Sequence, residues 1–222
     1  MPEVGTAPRR PRGRPQVRPD DETLRVIVDA ARDEFLSRGF GDVSMASVAR
    51  RAGVSTKTMY RLVPTKADLF RKVVSARIGQ FILELDIDAL DALEPAGALA
   101  RILTVSASLS LSAEATAMYR LALTEIDRFP ELATFFFESA IGPASQTLET
   151  WLRKQRDLGV LEMDDPALVS GMLRGMIAMD PQRAALLGQR PLPDAAEIAA
   201  RARTCAELFL NGCRAGGRSE ER

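Results

Sequence analysis

Gly53 is the residue that most constrains this chain. It stands between two short amphipathic segments, residues 44–52 and 55–63, each too short to persist alone as a helix in water. A glycine there takes φ > 0, stops the first helix and turns the backbone straight into the second. A side chain at that place is also expected to obstruct helix-to-helix packing. Ser44 is placed to cap the first helix, with Met45, Val48, Ala49 and Ala52 on its inner face. Ser55 caps the second, whose inner face is Met59, Leu62 and Val63, while Thr56, Lys57, Thr58, Tyr60 and Arg61 face away. Small Ala49, turning Gly53 and apolar Met59 have the spacing of a helix-turn-helix, in which the second helix is offered to a major groove.

If residues 56–62 enter a groove, their roles divide by chemistry. Thr56 and Lys57 open the helix and are expected at base edges, Lys toward guanine and the Thr methyl toward thymine, with Thr58 behind them. Ser44, Ser55, Tyr60, Arg61 and Lys66 are expected at phosphates, where they set register without carrying sequence information. Lys66 also opens the next helix, beside unpaired backbone N–H groups that suit an anion. Tyr60 has a second reading, as a core aromatic with its hydroxyl at the surface.

The charge distribution agrees with a polyanion partner. The formal net charge is zero, yet residues 1–80 carry 16 Lys and Arg against 9 Asp and Glu, and the excess is reversed in the remainder. Residues 1–21 hold five of the thirteen prolines and five arginines with almost no apolar content, which reads as a disordered arm. Within it RRPRGRP looks like an AT-hook: Gly13 lets the backbone lie deep in a narrow minor groove, where Arg12 and Arg14 meet its negative potential. The alternative is a solvated basic tail that attracts DNA without reading it.

The rest of the chain is helical by pattern. Leu24, Ile27, Val28, Ala31, Phe35 and Leu36 mark a helix over residues 22–38 that ends at Gly39. Thr65 and Asp68 form a capping box for a connector helix, its apolar stripe running from Leu69 and Phe70 to Phe81 and Leu85. An acidic turn follows, in which Asp86, Asp88 and Asp91 read as solvated carboxylates rather than metal ligands. Helices are then expected to about Ser112, from Ala115 to Asp127, and from Glu131 to about Asp157 with an interruption or bend near Gly142 and Pro143. Asp165 with Pro166 is a strong helix start, and Asp180 with Pro181 repeats it, so that helix kinks or restarts. Asp194 and Glu197 cap a last Ala-rich helix through Asn211, with Gly212 as its stop. The sum is an all-α fold of nine or ten helices. Its expected divisions are the arm at 1–21, a head at 22–65, the connector at 66–85, a body at 86–215 and a tail at 216–222.

Phe35, Gly39 and Phe40, followed by VARRAGVSTKTMYRLVPTKADLF, resemble the TetR/AcrR family of transcriptional regulators over roughly residues 22–75. Lys57 stands where the family often has Gly, and Leu62 and Val63 replace members of its aromatic block. The body is similar, more loosely, to the AefR-like subgroup through FPEL at 129–132 and the segment 164–188. The resemblance supports phosphate contacts at Ser44, Tyr60 and Lys66. It implies a ligand-responsive repressor with an effector pocket in the body, where binding tilts the connector and changes the separation of two heads.

One head spans too few base pairs for specificity, so a homodimer on a palindromic double-stranded site is expected. Gly171, Gly175, Ala195, Ala199, Ala202 and Ala206 are small enough for close helix approach across a four-helix interface, or for ordinary packing within the chain. Met118, Tyr119, Phe136, Trp151, Met172 and Met176 are the bulky apolar groups expected either to line a pocket for an apolar or amphipathic effector or to fill core. With no His, no nucleophile–base pair, no phosphate loop and two cysteines eight apart, no enzyme, metal or cofactor is expected. Cys205 and Cys213 read as small buried hydrophobes in a reducing cytoplasm, and the longest weakly charged run, residues 102–113, is too short to span a bilayer. The competing reading is an architectural DNA-binding protein with no effector.

Overall fold

The computed structural model of the chain describes residues 18–84, 90 and 92–213. The proposed minor-groove residues Arg12, Gly13 and Arg14, the acidic-turn residues Asp86, Asp88 and Asp91 and the tail at 216–222 lie outside the described residues. What is described is all-α, with nine helices among the described residues.

α1 (Asp20–Asp42) opens with Asp20, Asp21 and Glu22 against its positive end, and Thr23 Oγ1 donates back to Pro19 O at 2.9 Å. Its regular geometry breaks at Gly39, where φ is +80°. Phe40 thereby folds back under the helix, and Phe35, Phe40 and Phe70 meet with ring centroids 5.4–5.8 Å apart. α2 (Met45–Arg51) starts in a reciprocal capping box: Ser47 N donates to Ser44 Oγ and Ser44 N to Ser47 Oγ. Gly53, at φ +66°, carries the chain round to α3 (Thr56–Leu62), with Val54 N closing on Ala49 O at 2.9 Å. A Cβ built on Gly53 meets nothing within 4 Å, which corrects the expectation of a steric role. The backbone conformation alone calls for glycine.

α4 (Lys66–Glu84) begins at a Thr65 cap on Asp68 N, 3.0 Å, and buries Leu69, Phe70, Val73 and Val74. Ile27, Phe35, Val48, Met59, Val63, Leu69 and Phe70 have almost no exposed surface, each contributing on the order of 1.5–3 kcal/mol to the head core. The side chains of Phe81 and Leu85, expected further along the stripe, lie outside the described residues.

Among the described residues the body has five helices. α5 (Pro95–Ser110) and α6 (Ala113–Glu125) meet at Ser112, whose Oγ accepts from Ala115 N at 3.1 Å. α7 spans 130–157, α8 spans 166–186, and α9 is Ala195–Cys213, running on through Gly212. Both long helices contain a π-turn, Phe137–Ile141 in α7 and Gly175–Met179 in α8. The reason is the proline that follows each. Pro143 and Pro181 lack the N–H and crowd the carbonyl four residues back, and a wider turn on the N-terminal side absorbs that conflict without ending the helix. The expected interruptions are therefore bulges in continuous rods. α9 lies along α5, and Leu99, Ile102, Leu103, Leu148, Trp151, Leu152, Ala202 and Ala206 form the body core. No single helix among the described residues is long and apolar enough to cross a membrane.

Candidate nucleic-acid interface and body cavity

α3 is presented as an isolated, well-capped finger. Ser55 Oγ accepts from Thr58 N at 3.0 Å and lies 2.9 Å from Thr58 Oγ1, so Thr58 is half-buried and occupied with the cap. Thr56 and Lys57 are exposed, and neither makes an ion pair or side-chain hydrogen bond with the described residues. Met59, fully buried, anchors the opposite face. Tyr60 is 54% exposed, which removes the core-aromatic reading. Arg61 is also exposed, but its guanidinium makes two hydrogen bonds to the Asp20 carboxylate, at 2.7 and 2.8 Å, and these raise its pKa. Arg51 is tied in the same manner to Asp33 (3.0 Å) and Glu34 (3.4 Å), leaving Arg50 on the outer face of α2. Ser44 is exposed at the start of α2.

Lys66 is turned inward. Its ammonium donates to Phe40 O (2.7 Å), Val43 O (2.9 Å) and Gly41 O (3.2 Å), and sits 4.5 Å from the centre of the Phe40 ring. Burial lowers its pKa, while nearby Glu125 acts to raise it. All three N–H groups are spent on the carbonyls that end α1, so the side chain clamps the α1–α2 junction onto α4. Only the backbone at this helix start is left to meet a phosphate.

A second contact joins head to body and had no signal in the sequence. Gly41 N donates to Glu125 Oε1 at 3.3 Å, and Phe129 packs edge-on to Phe40 with centroids 4.9 Å apart. A Cβ on Gly41 would come 2.9 Å from Arg128 Nη1, so the elbow between α6 and α7 sits directly against the head. Met118, Leu121 and Leu132 of the body complete the head core.

Behind that elbow lies a cavity of about 530 Å³, bounded by α4, α5, α6, α7 and α8. Met118, Tyr119 and Phe136 line it as expected, the two rings stacked with centroids 5.6 Å apart. The other three expected residues do not. Trp151 is buried in the α5–α9 core, and Met172 and Met176 are exposed on the outer face of α8. Gly171 and Gly175 border the cavity. On α9, Ala195 is exposed and Ala199 half-buried, while Ala202 and Ala206 are sealed inside the chain against α5. For those two alanines, packing within the chain is what small size provides. Among the described residues no group of His, Cys, Asp and Glu is arranged to hold a metal ion.

Residues 27–73 match the model for bacterial regulatory proteins of the tetR family, and residues 97–212, over half the chain, match the AefR-like transcriptional repressor C-terminal domain. The chain belongs to the TetR family. It is thus a transcriptional regulator with a DNA-binding head, in a family of non-enzymatic proteins. Over 66 residues this TetR-family chain is 35% identical to the HTH-type transcriptional regulator SrpR of Pseudomonas putida, a match spanning 30% of each protein. A TetR-family regulator from Mesorhizobium loti MAFF303099 superposes with a TM-score of 0.77 at 26% identity, covering 88% of this chain and 98% of that one. The flavonoid-responsive regulator FrrA gives 0.74 at 26% identity, covering 88% and 99%.

Proposed function

We propose that this TetR-family regulator is a repressor that binds a palindromic operator as a homodimer and releases it when a small apolar or amphipathic molecule fills the body cavity. The observation that carries the reading is the placement of that cavity. Val73 and Val74 on α4 and Met118 and Tyr119 on α6 form its wall, and those same two helices hold the head through Lys66 and Glu125. A ligand that wedges α4 from α6 therefore acts on the head through two contacts at once. The similarity to a flavonoid-responsive regulator supports a ligand of this size and polarity. Release requires only that the ligand prefer one arrangement over the other, by ~1–3 kcal/mol of coupling.

In this reading Thr56 and Lys57 read base edges, with Thr58 holding the cap behind them. Ser44, Ser55, Tyr60 and Arg61 meet phosphates, and Arg12, Gly13 and Arg14 follow the minor groove on the flank. Lys66 contributes through the backbone amides at its helix start rather than through its ammonium. The dimer forms on the outer face of α8 and α9. There Leu168, Met172 and Met176, with Leu208 of α9, leave large apolar side chains exposed, the first three at four-residue spacing, and exposed Ala195 gives room at the start of α9. The working compartment is the cytoplasm, where DNA and a diffusible effector meet.

The test begins with selection of bound duplexes from a random pool, followed by titration of the recovered operator. Two protomers should occupy one palindrome, and a molecule that binds the cavity should release it. Binding without preferred sequence and without ligand response would make the protein an architectural DNA binder instead.

A further inference from the structure

The cavity wall carries a positive charge that no carboxylate among the described residues pairs with. Arg174, on α8 immediately before the π-turn, is half-buried in the cavity wall. Its guanidinium donates to Ile141 O at 3.3 Å and to Ser145 Oγ, both neutral acceptors. Burial lowers its pKa, and no carboxylate among the described residues acts in the other direction. Glu114 is the acid on the cavity lining, and it lies 3.7 Å from Arg32 Nε. Arg183 adds a second cation to the same lining, exposed and without an ion pair among the described residues.

A buried hydroxyl points to the same conclusion independently. Ser106 lines the cavity from α5 at 5% exposure, and its Oγ has no hydrogen-bond partner. Its neighbours on that helix behave otherwise: Thr104 and Ser110 donate back to Ala100 O and Ser106 O at 2.7 and 2.9 Å. A half-buried arginine without a counter-ion and an unpartnered buried hydroxyl are both costly, and one ligand can relieve both. The remaining wall, including Val73, Val74, Leu109, Met118 and the Tyr119–Phe136 stack, is apolar.

We propose that the cavity takes an amphipathic organic acid, with its carboxylate on the Arg174 guanidinium, the Ser106 hydroxyl as second polar anchor, and an apolar body against the Tyr119–Phe136 wall. A planar guanidinium accepts a carboxylate in a two-point pair, which sets the head group while leaving the body loosely specified. Arg174 directly precedes one π-turn and bonds Ile141 at the end of the other. A carboxylate that draws the guanidinium off Ile141 O loosens the junction between α7 and α8, the two helices with the widest turns.

This inference rests on the effector reading above, and the experiment separates them. Calorimetric titration of the full chain without DNA compares decanoate with decanol and 1-naphthoate with 1-naphthalenemethanol. Each acid is expected to bind about tenfold or more tightly than its alcohol. Arg174→Met should abolish that preference and Arg174→Lys should restore part of it. Ser106→Ala, which leaves the Ile141 and Ser145 contacts alone, should weaken the acids several-fold and serves if the arginine variants fail to fold. Equal binding of acids and alcohols, no heat from either acid, or a preference that survives both Arg174→Met and Ser106→Ala would overturn the proposal. Alcohols that bind as tightly as their acids and release operator equally well would sink the acid head group and keep the effector reading. Acids that bind through Arg174 with operator affinity unchanged would do the reverse.

Discussion

The head and the body are both built from helices, yet they are held in shape in opposite ways. In the head, two seven-residue helices are each fixed at the start by a serine cap and joined by one glycine at positive φ, over a core of interlocked phenylalanines. In the body, α7 and α8 keep their continuity by widening into π-turns ahead of prolines, and beside the α5–α9 core they leave a cavity open. Under the proposed function, the difference follows what each region has to do. A side chain that reads a base edge must be held to a fraction of an ångström, whereas a region that answers a small molecule needs packing weak enough to rearrange.

The largest expected effect tests that contrast in stability. Phe35→Ala removes a fully buried ring from the head and should cost ~3–5 kcal/mol in denaturant unfolding. Phe136→Ala only enlarges an existing cavity and should cost less than about half as much. Equal losses would mean that the cavity wall is packed as tightly as the head core. Next comes the turn. Gly53→Ala meets no steric neighbour, so its cost should be the conformational penalty alone, ~1–2 kcal/mol, with Gly53→Asn closer to the parent. A much larger loss for alanine would restore the packing role that the structure removes.

The smallest effect sharpens the division inside the head. Asp20→Asn releases Arg61 from its two-point pair, and fluorescence anisotropy on an operator duplex should show affinity rising about two- to fivefold at low salt. The gain should fade as salt rises. Unchanged affinity at every salt concentration would take Arg61 away from the phosphates.

How far the sequence could be read varies in the same direction as rigidity. The head was legible because its shape is set locally: Ser44, Ser55, Thr65 and Gly53 each fix the backbone within three or four residues, and the structure places all four as their spacing implies. Lys66 was not, since the three carbonyls it serves lie more than twenty residues away and become its partners only once α1 packs on α4. In the body, apolar spacing identified α8 and α9 but not which of their faces turn inward. Met172 and Met176, read as pocket or core, point outward, while Ala202 and Ala206, read as interface or as packing within the chain, take the second of those places. Period gives a stripe, and only tertiary packing decides what the stripe meets. Pro143 and Pro181 were visible as breaks, but nothing local distinguishes a helix that stops from one that widens and continues.

The proposed function turns on the exposed start of α3 reading bases from two symmetric heads. The most direct measurement is a pair of selections from random duplexes, one with the parent protein and one with Lys57→Ala. The parent should select a palindrome, and the variant should lose preference at one base position in each half-site, worth ~1–3 kcal/mol per half-site. Identical preferences from the two proteins, or no enrichment with either, would contradict it.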